Sequence, residues 1–385
     1  MKSNYDILGN HIRLIDTRNR ESITDRVLGI NIDKFFMPSV ANVIGTDLSK
    51  YKLITKGKFA CNPMHVGRDE RLPVALYDEE EPAIVSPAYF MFEVVDNSIL
   101  NEDYLMMWFR RPEFDRICWL HTDGSVRGGI TWDDICRLEL PIPPIESQLE
   151  IVNSYKAITE RIALKQKIND NLANTEQLIL HQAISKNQTI PLSLNEIAEF
   201  IDGDRGKNYP TFDEFSASGF CLFLNASNVT SSGFNFDSCM FVTEEKDKIM
   251  RNGHLLLNDI VFTSRGTLGN VALYDKNIKY KNVRINSGML IIRPKGINLS
   301  PYFIYTLLKS NYMKSAIEQF RSGSAQPQLP IKDLQNITFD IPESQNVLDD
   351  LEHRFFKIEE TISINKREIG DLNELASILL TRLSR

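Results

Sequence analysis

The chain lacks the frames on which common enzymes are built. No Gly-x-x-x-x-Gly-Lys phosphate loop, no His-Glu-x-x-His and no Gly-x-Ser-x-Gly occurs in its 385 residues, which leaves P-loop nucleotide chemistry, zinc proteolysis and serine hydrolysis without a sequence basis. The five cysteines, at 61, 118, 136, 221 and 239, are scattered and form no Cys-x-x-Cys pair. That pattern points to reduced thiols in a cytoplasm and away from a disulfide framework or a zinc site. The six histidines show no metal-ligand pairing. No run of eighteen apolar residues is present and the first residues do not read as a signal peptide, so a cytoplasmic protein with no membrane partner is expected. Positive charge is also scarce. The chain carries 44 Lys and Arg against 51 Asp and Glu. Residues 1–145 hold 17 against 22, and residues 190–340 hold 16 against 15. An acidic chain does not announce nucleic-acid binding; a DNA contact would need local basic loops or a partner that supplies positive field.

What the chain does have is a repeat of itself. Val74-Ala75-Leu76-Tyr77-Asp78 recurs unchanged as Val271-Ala272-Leu273-Tyr274-Asp275, and Glu146-Ser147-Gln148 returns as Glu343-Ser344-Gln345, both 197 positions later. Gly124-Ser125 answers Gly323-Ser324, Tyr104 answers Tyr302, and Leu14-Ile15-Asp16 answers Phe200-Ile201-Asp202. A period this long is too large for a solenoid and fits a duplicated domain with a long helix attached.

Each half reads alike. Short β-rich runs such as Asp259–Thr263, Asn270–Tyr274 and Gly288–Arg293 are bounded by turn residues, as strands are. Helical stretches follow at 102–110 and 301–320, then a Gly-Ser loop, a short strand, a proline and a long helix. In the last helix the seam Leu348, Leu351, Phe355, Ile358, Ile362, Asn365, Ile369, Leu372, Ala376, Leu379, Leu383 alternates steps of three and four, the spacing of a coiled coil. Asn365 is its one polar member, a residue type that fixes register; the neighbouring Gly370 weakens the helix by roughly 1 kcal/mol. The central helix, from about Ser147 to Lys186, has a looser stripe of Val152, Tyr155, Ile158, Ile162, Ile168, Leu172, Ile179 and Ala183, with Ser147 and Glu150 spaced as a capping box. Helices of about 40 residues span roughly 60 Å, more than one globule needs. They are expected to pair antiparallel and hold two mixed domains apart.

Three chemical candidates weigh little. Asn62-Pro63-Met64 lacks the second proline and the aromatic of an amino-methyltransferase motif and has no Gly-rich cofactor loop beside it. Glu244-Glu245-Lys246 contains a nuclease-like Glu-x-Lys but reads as a solvated helix start, and Asp78-Glu79-Glu80-Glu81 reads as an exposed turn. Two large domains on a rigid connector without a catalytic constellation describe a binding subunit.

The ordered set resembles the specificity subunit of a Type I restriction-modification system, over essentially the whole chain. The residues that carry the resemblance are Leu140–Val152 leading into the central helix, Asn258–Gly269, and the loop Gly323–Pro330 with its counterpart Gly124-Ser125. One departure is Ser147-Gln148 and Ser344-Gln345 where the family has Glu-Gln at the helix start; Ser is a good N-cap. The resemblance implies an α+β fold: two mixed, β-rich target-recognition domains joined by two long antiparallel coiled-coil helices in a pseudo-two-fold internal repeat. The corresponding boundaries are 1–145 and 190–340 for the recognition domains, 146–189 for the central helix and 341–385 for the C-terminal helix. It further implies a non-catalytic subunit without a cofactor of its own. Its partners would be double-stranded DNA read as two half-sites across a spacer set by the helices, two modification (methyltransferase) subunits that bring S-adenosylmethionine, and restriction subunits.

Within that frame, Thr263-Ser264-Arg265-Gly266-Thr267 follows a strand in the second domain. Arginine pairs bidentately with guanine, glycine permits close backbone approach, and hydroxyls suit phosphates; the plain alternative is a hairpin turn with a surface arginine. In the first domain Asn62, His65 and Arg68 occupy the matching place, and asparagine reads adenine, although Asn-Pro is also ordinary turn chemistry. Arg205 and Lys207, and Arg18 and Arg20 opposite them, are further basic candidates that read equally as solvated loop charges. Arg127 and Gln326 follow the Gly-Ser loops and are placed either at DNA or at a strand cap; the cluster of Ser227, Asn228, Ser231 and Ser232 reads as a turn. The rival function class is a protein-interaction scaffold, two modules on a coiled-coil strut.

Overall fold

The computed structural model describes residues 5–41, 43–64, 66–122, 128–296, 299–320 and 328–383. The chain divides into two compact units, Met1–Ala163 with Gly370–Arg385, and Leu164–Ile369. Each contains a mixed domain together with stretches of both long helices.

The two units repeat one topology. In the first, an antiparallel sheet runs in the order Ile12–Leu14, Phe90–Val94, Lys58–Cys61, Val74–Tyr77. In the second the order is Ala198–Asp202, Met289–Pro294, Ile260–Thr263, Val271–Leu273. Registers agree as well: Leu14 stands opposite Phe92 as Phe200 stands opposite Ile292. A second sheet in each unit is built on a parallel pair, Val27–Ile30 with Ala83–Val85 and Cys221–Leu224 with Val283–Ile285. The first unit adds the strand Lys52–Ile54 to that sheet, which in the second shrinks to a single bridge between His254 and Arg284.

The strands read as unbroken apolar runs because both faces are buried. Ile260, Phe262, Leu290 and Ile292 face the helices, while Val261, Ala272, Met289 and Ile291 face the second sheet. Side chains alternate sides at every residue, so one sheet serves two cores. In the first unit Phe59, Phe92 and Val94 point one way and Ala60 and Met91 the other.

The helical stretch read as 301–320 is two helices, Pro301–Leu308 and Asn311–Phe320, with the Ser310 hydroxyl accepting from the Met313 N–H to start the second. The first unit has the same pair, Glu102–Phe109 and Pro112–Leu120. Asn101 and Ser300 cap the first member of each pair, which makes Phe303, not Tyr302, the counterpart of Tyr104. Burial agrees: Tyr104 and Phe303 are core residues, whereas Tyr302 packs edge-on against Phe356 at 5.1 Å. The cap sets the helix register, and the matching tyrosine letters are one turn position out.

The long helices run unbroken over Ile145–Lys186 and Gln345–Arg382. The first begins before Ser147, whose N–H and that of Gln148 both bond the Pro144 carbonyl, so Ser147 lies in the first turn and does not cap it. The repeated glutamine has a different use in each half. Gln148 is buried, accepts from the Asn101 N–H at 2.9 Å and donates to the Ile99 and Pro143 carbonyls at 2.8 Å each. Gln345 is exposed and bonds Asp349. In the second unit the helices pair antiparallel: Lys165 meets Glu368 at 2.6 Å and Asn169 meets Asn365 at 2.8 Å. The C-terminal seam is buried or half-buried throughout, from Leu348 to Leu383. The central stripe needs one correction. Ile168 is 47% exposed, and Lys165 and Asn169 take the facing positions; the partner there is the polar Asn365, which favours polar company.

Candidate nucleic-acid interface

In the second sheet-and-helix unit, three loops leave the same end of the four-stranded sheet. Asp202 pairs with Leu290, Thr263 with Met289 and Phe262 with Val271. The loop after Asp202, the turn before Met289 and the hairpin 264–270 therefore emerge side by side. Contacts tie them together. Ser264 bonds the Gly288 carbonyl through both its N–H and its hydroxyl, and the Arg205 guanidinium reaches the Ser287 carbonyl at 3.4 Å. Gly203 lies so close to Asn286 that an added Cβ would sit 2.2 Å from the Asn286 carbonyl oxygen; only glycine fits there. The segment after 327 joins them: Arg265 forms a β-bridge with Gln328, and the Leu329 N–H donates to the Ser264 carbonyl.

This geometry sorts the candidate residues. Thr263 is fully buried; its hydroxyl donates to the Thr267 carbonyl and accepts from the Asn270 N–H at 2.9 Å. Ser264 is also buried. The Thr263 hydroxyl closes the hairpin and the Ser264 hydroxyl ties it to the turn at Gly288. Gly266 turns the chain with φ +73° and open space around it, and Thr267 is exposed beside it. Arg265 is half-buried, and among the described residues its guanidinium has no acidic partner. Lys207 is exposed and likewise unpaired among the described residues. Arg205 is tied to Asp202 at 2.8 Å.

The first unit has the same layout with different charge. Leu14, Phe90, Cys61 and Val74 bring the loops 15–18, 86–89 and 62–73 to one sheet end. Here the hairpin connector is longer and folds a short helix, Val66–Asp69. Asn62 accepts from the Met64 N–H at 3.2 Å, the turn chemistry its Asn-Pro sequence suggests. Arg68 lies exposed against Asp69 at 2.6 Å, and that carboxylate raises its already high pKa. Arg71 meets Asp33 at 2.9 Å, and Arg18 meets Asp16 at 2.6 Å. The connector is again held by the segment that follows the Gly-Ser loop: the Ile130 N–H donates to Pro63 and the Gly67 N–H to Gly128. Local carboxylates thus offset more of the positive charge here than around Arg265. His65, Gly124, Ser125, Arg127, Gly323, Ser324 and Gln326 lie outside the described residues.

The other sequence readings fall into place. Glu244–Ile249 is a helix capped by Thr243, and Ser227, Asn228, Ser231 and Ser232 lie in turns. Sequence reasoning missed the turn Asn286-Ser287-Gly288 and the bridge partner Gln328. The first carries an Asn-Ser-Gly turn signal; the second has no local signal, since its place is set by a pairing 63 residues away. No helix among the described residues is long and apolar enough to cross a membrane.

Residues 191–373 match the family described as the Type I restriction modification DNA specificity domain. The whole chain is similar in fold to the S subunit of a Type I restriction-modification system from M. genitalium, with a TM-score of 0.60 at 19% identity, covering 100% of this chain and 97% of that one. It also matches the HsdS subunit from Thermoanaerobacter tengcongensis, with a TM-score of 0.38 at 15% identity over 99% of this chain and 96% of the other. No curated protein is a match.

Proposed function

We propose that the chain is a specificity subunit of a Type I restriction-modification system, a reading supported by the match of residues 191–373 to that family's DNA specificity domain and by the similarity in fold, and that it reads a two-part DNA target, one half-site by residues 1–145 and the other by residues 190–340. The observation that carries this reading is the loop convergence at one sheet end, built twice on the same topology with different loop chemistry. Duplicated frames with diverged loops suit two different half-sites. In the second domain Arg265 is the base-reading residue, a guanidinium with no acidic partner among the described residues on the hairpin beside Gly266, with Thr267, Arg205 and Lys207 at the phosphates. In the first domain Asn62, His65 and Arg68 take the corresponding roles. Thr263 and Ser264 contribute by fixing the hairpin that aims Arg265.

The subunit performs no chemistry itself. Two modification subunits dock on it and supply both S-adenosylmethionine and the methyl-transfer site, and restriction subunits join that core. Their positive field makes up for an acidic chain. The test is methylation by the purified chain with and without its modification partner, followed by methylome sequencing. A bipartite methylated motif that appears only with the partner is the expected result. Methyl transfer by the chain alone, or a motif with a single uninterrupted half, would overturn the reading.

A further inference from the structure

Phe212 is 88% exposed, while its neighbours in the chain are bonded or packed. It opens a short 3-10 turn, Phe212–Glu214. The Glu214 carboxylate accepts from the Thr211 N–H at 2.8 Å and from its hydroxyl at 3.2 Å, and Lys246 clamps the same carboxylate at 2.8 Å. On either side, Tyr209 and Phe215 pack on Phe223 at centroid distances of 5.6 and 5.4 Å. Two aromatic neighbours are therefore anchored in the core while the ring between them points to solvent. A mobile loop would let that ring fold back onto apolar surface; this turn is braced against it. The position is equally specific. The Tyr209 phenol comes near the Ser287 side chain, on the turn that also receives Arg205 and Ser264. Phe212 is three residues further along, at most about 11 Å of chain, in a loop that also carries Arg205 and Lys207.

We propose that Phe212 is an apolar wedge that inserts at a base step of the second half-site, opening the stack beside the bases that Arg265 reads. A braced aromatic flanked by phosphate-binding cations is the arrangement with which proteins unstack and kink a duplex, and it adds shape readout to direct readout. The inference rests on the DNA-reading function proposed above, so its test separates the two.

The complex of this chain with its modification subunits is titrated with duplex DNA carrying the methylome-derived motif, with 2-aminopurine placed at successive positions of the second half-site. The wild-type complex is expected to raise the fluorescence at one step. Phe212→Ala is expected to abolish that rise and weaken target binding about five- to hundredfold, while Phe212→Leu, still an apolar wedge, retains most of both. Assembly with the modification subunits should be unchanged in all three. Equal affinity and equal fluorescence for Phe212→Ala would overturn the inference and leave the functional reading intact. Loss of subunit assembly with normal DNA affinity per assembled complex would also overturn it, by making Phe212 a protein contact. A wild-type complex that does not bind the duplex would defeat the functional reading and the wedge together.

Discussion

The side-chain amide of Asn365 donates to the side-chain oxygen of Asn169 at 2.8 Å, across the two long helices in the second unit. Lys165 completes the group, bonding the Asn365 oxygen at 2.9 Å and Glu368 at 2.6 Å. An apolar seam can slide by a heptad at small cost, but an amide pair leaves both partners unsatisfied when it slides, so this group fixes register.

Replacing one partner should therefore hurt more than replacing both. Asn365→Leu is expected to destabilise by about 1–3 kcal/mol, because Asn169 and Lys165 lose a buried acceptor or donor. The pair Asn169→Leu with Asn365→Leu should recover much of that loss. Thermal melts of both singles and the double give the coupling; additive effects would show that the two amides act independently.

A second buried group gives a pH dependence. Lys309 reaches Glu176 at 3.1 Å and Glu359 at 2.6 Å, and the Thr306 hydroxyl donates to Glu176 at 2.8 Å. Two carboxylates share one ammonium. Burial, and then repulsion from Glu359, push Glu176 from 4.5 up to about 7, while Lys309 stays charged. Below pH 4.5 the carboxyl is protonated folded or unfolded. Between 4.5 and 7 only the folded state keeps the proton, so this group's contribution to stability falls as pH rises through that window and is constant above it. Glu176→Gln removes the titration, so its stability relative to wild type should rise between pH 5 and 8, by up to about 3 kcal/mol. A difference that stays flat across that range would show that Glu176 is ionised throughout.

Lys309→Met is the harsher change. It leaves Glu176 and Glu359 facing each other without a cation, and a loss of about 3–5 kcal/mol is expected. Denaturant unfolding reads this directly; a loss below about 1 kcal/mol would place the group among weak surface pairs.

The hairpin residues should separate by phenotype. Arg265→Ala is expected to relax discrimination at one base pair of one half-site by about 1–3 kcal/mol, with the other half-site unchanged. Thr263→Val deprives the Asn270 N–H of its side-chain acceptor and should cost about 1–3 kcal/mol of stability without altering which base is preferred. Methylation rates on targets mutated in either half distinguish them. Equal loss on all sequences for Arg265→Ala would make it a phosphate contact.

Gly203→Ala tests whether the converging loops need their close packing. The added methyl meets the Asn286 backbone oxygen at 2.2 Å, a contact that backbone must move to relieve. Weakened reading of the second half-site with the first half-site retained is the expected result. Unchanged methylation of both halves would show that the loops tolerate separation.

The architecture was legible because it is written in periodicity and in a literal repeat. Letter identity located the Val74–Tyr77 and Val271–Leu273 strands, and the three-four spacing located the C-terminal helix. Local rules failed where distant partners decide. Ile168 fits an apolar stripe, yet the helix turns Lys165 and Asn169 inward to meet Asn365 and Glu368. Ser147 has the spacing of a cap, yet the helix starts before it.

At the site, sequence alone identified which residue types lie on the hairpin. It could not say that the Thr263 and Ser264 hydroxyls are consumed inside the fold while Arg265 has no acidic partner among the described residues, because their partners at Asn270 and Gly288 lead into the next strands of the sheet. Side-chain availability is a property of the packed neighbours, and those are chosen only when the strands pair. The sequence determined the duplicated frame, its apolar faces and the helix seam; the tertiary structure decided which polar groups hold that frame together and which remain to meet a ligand.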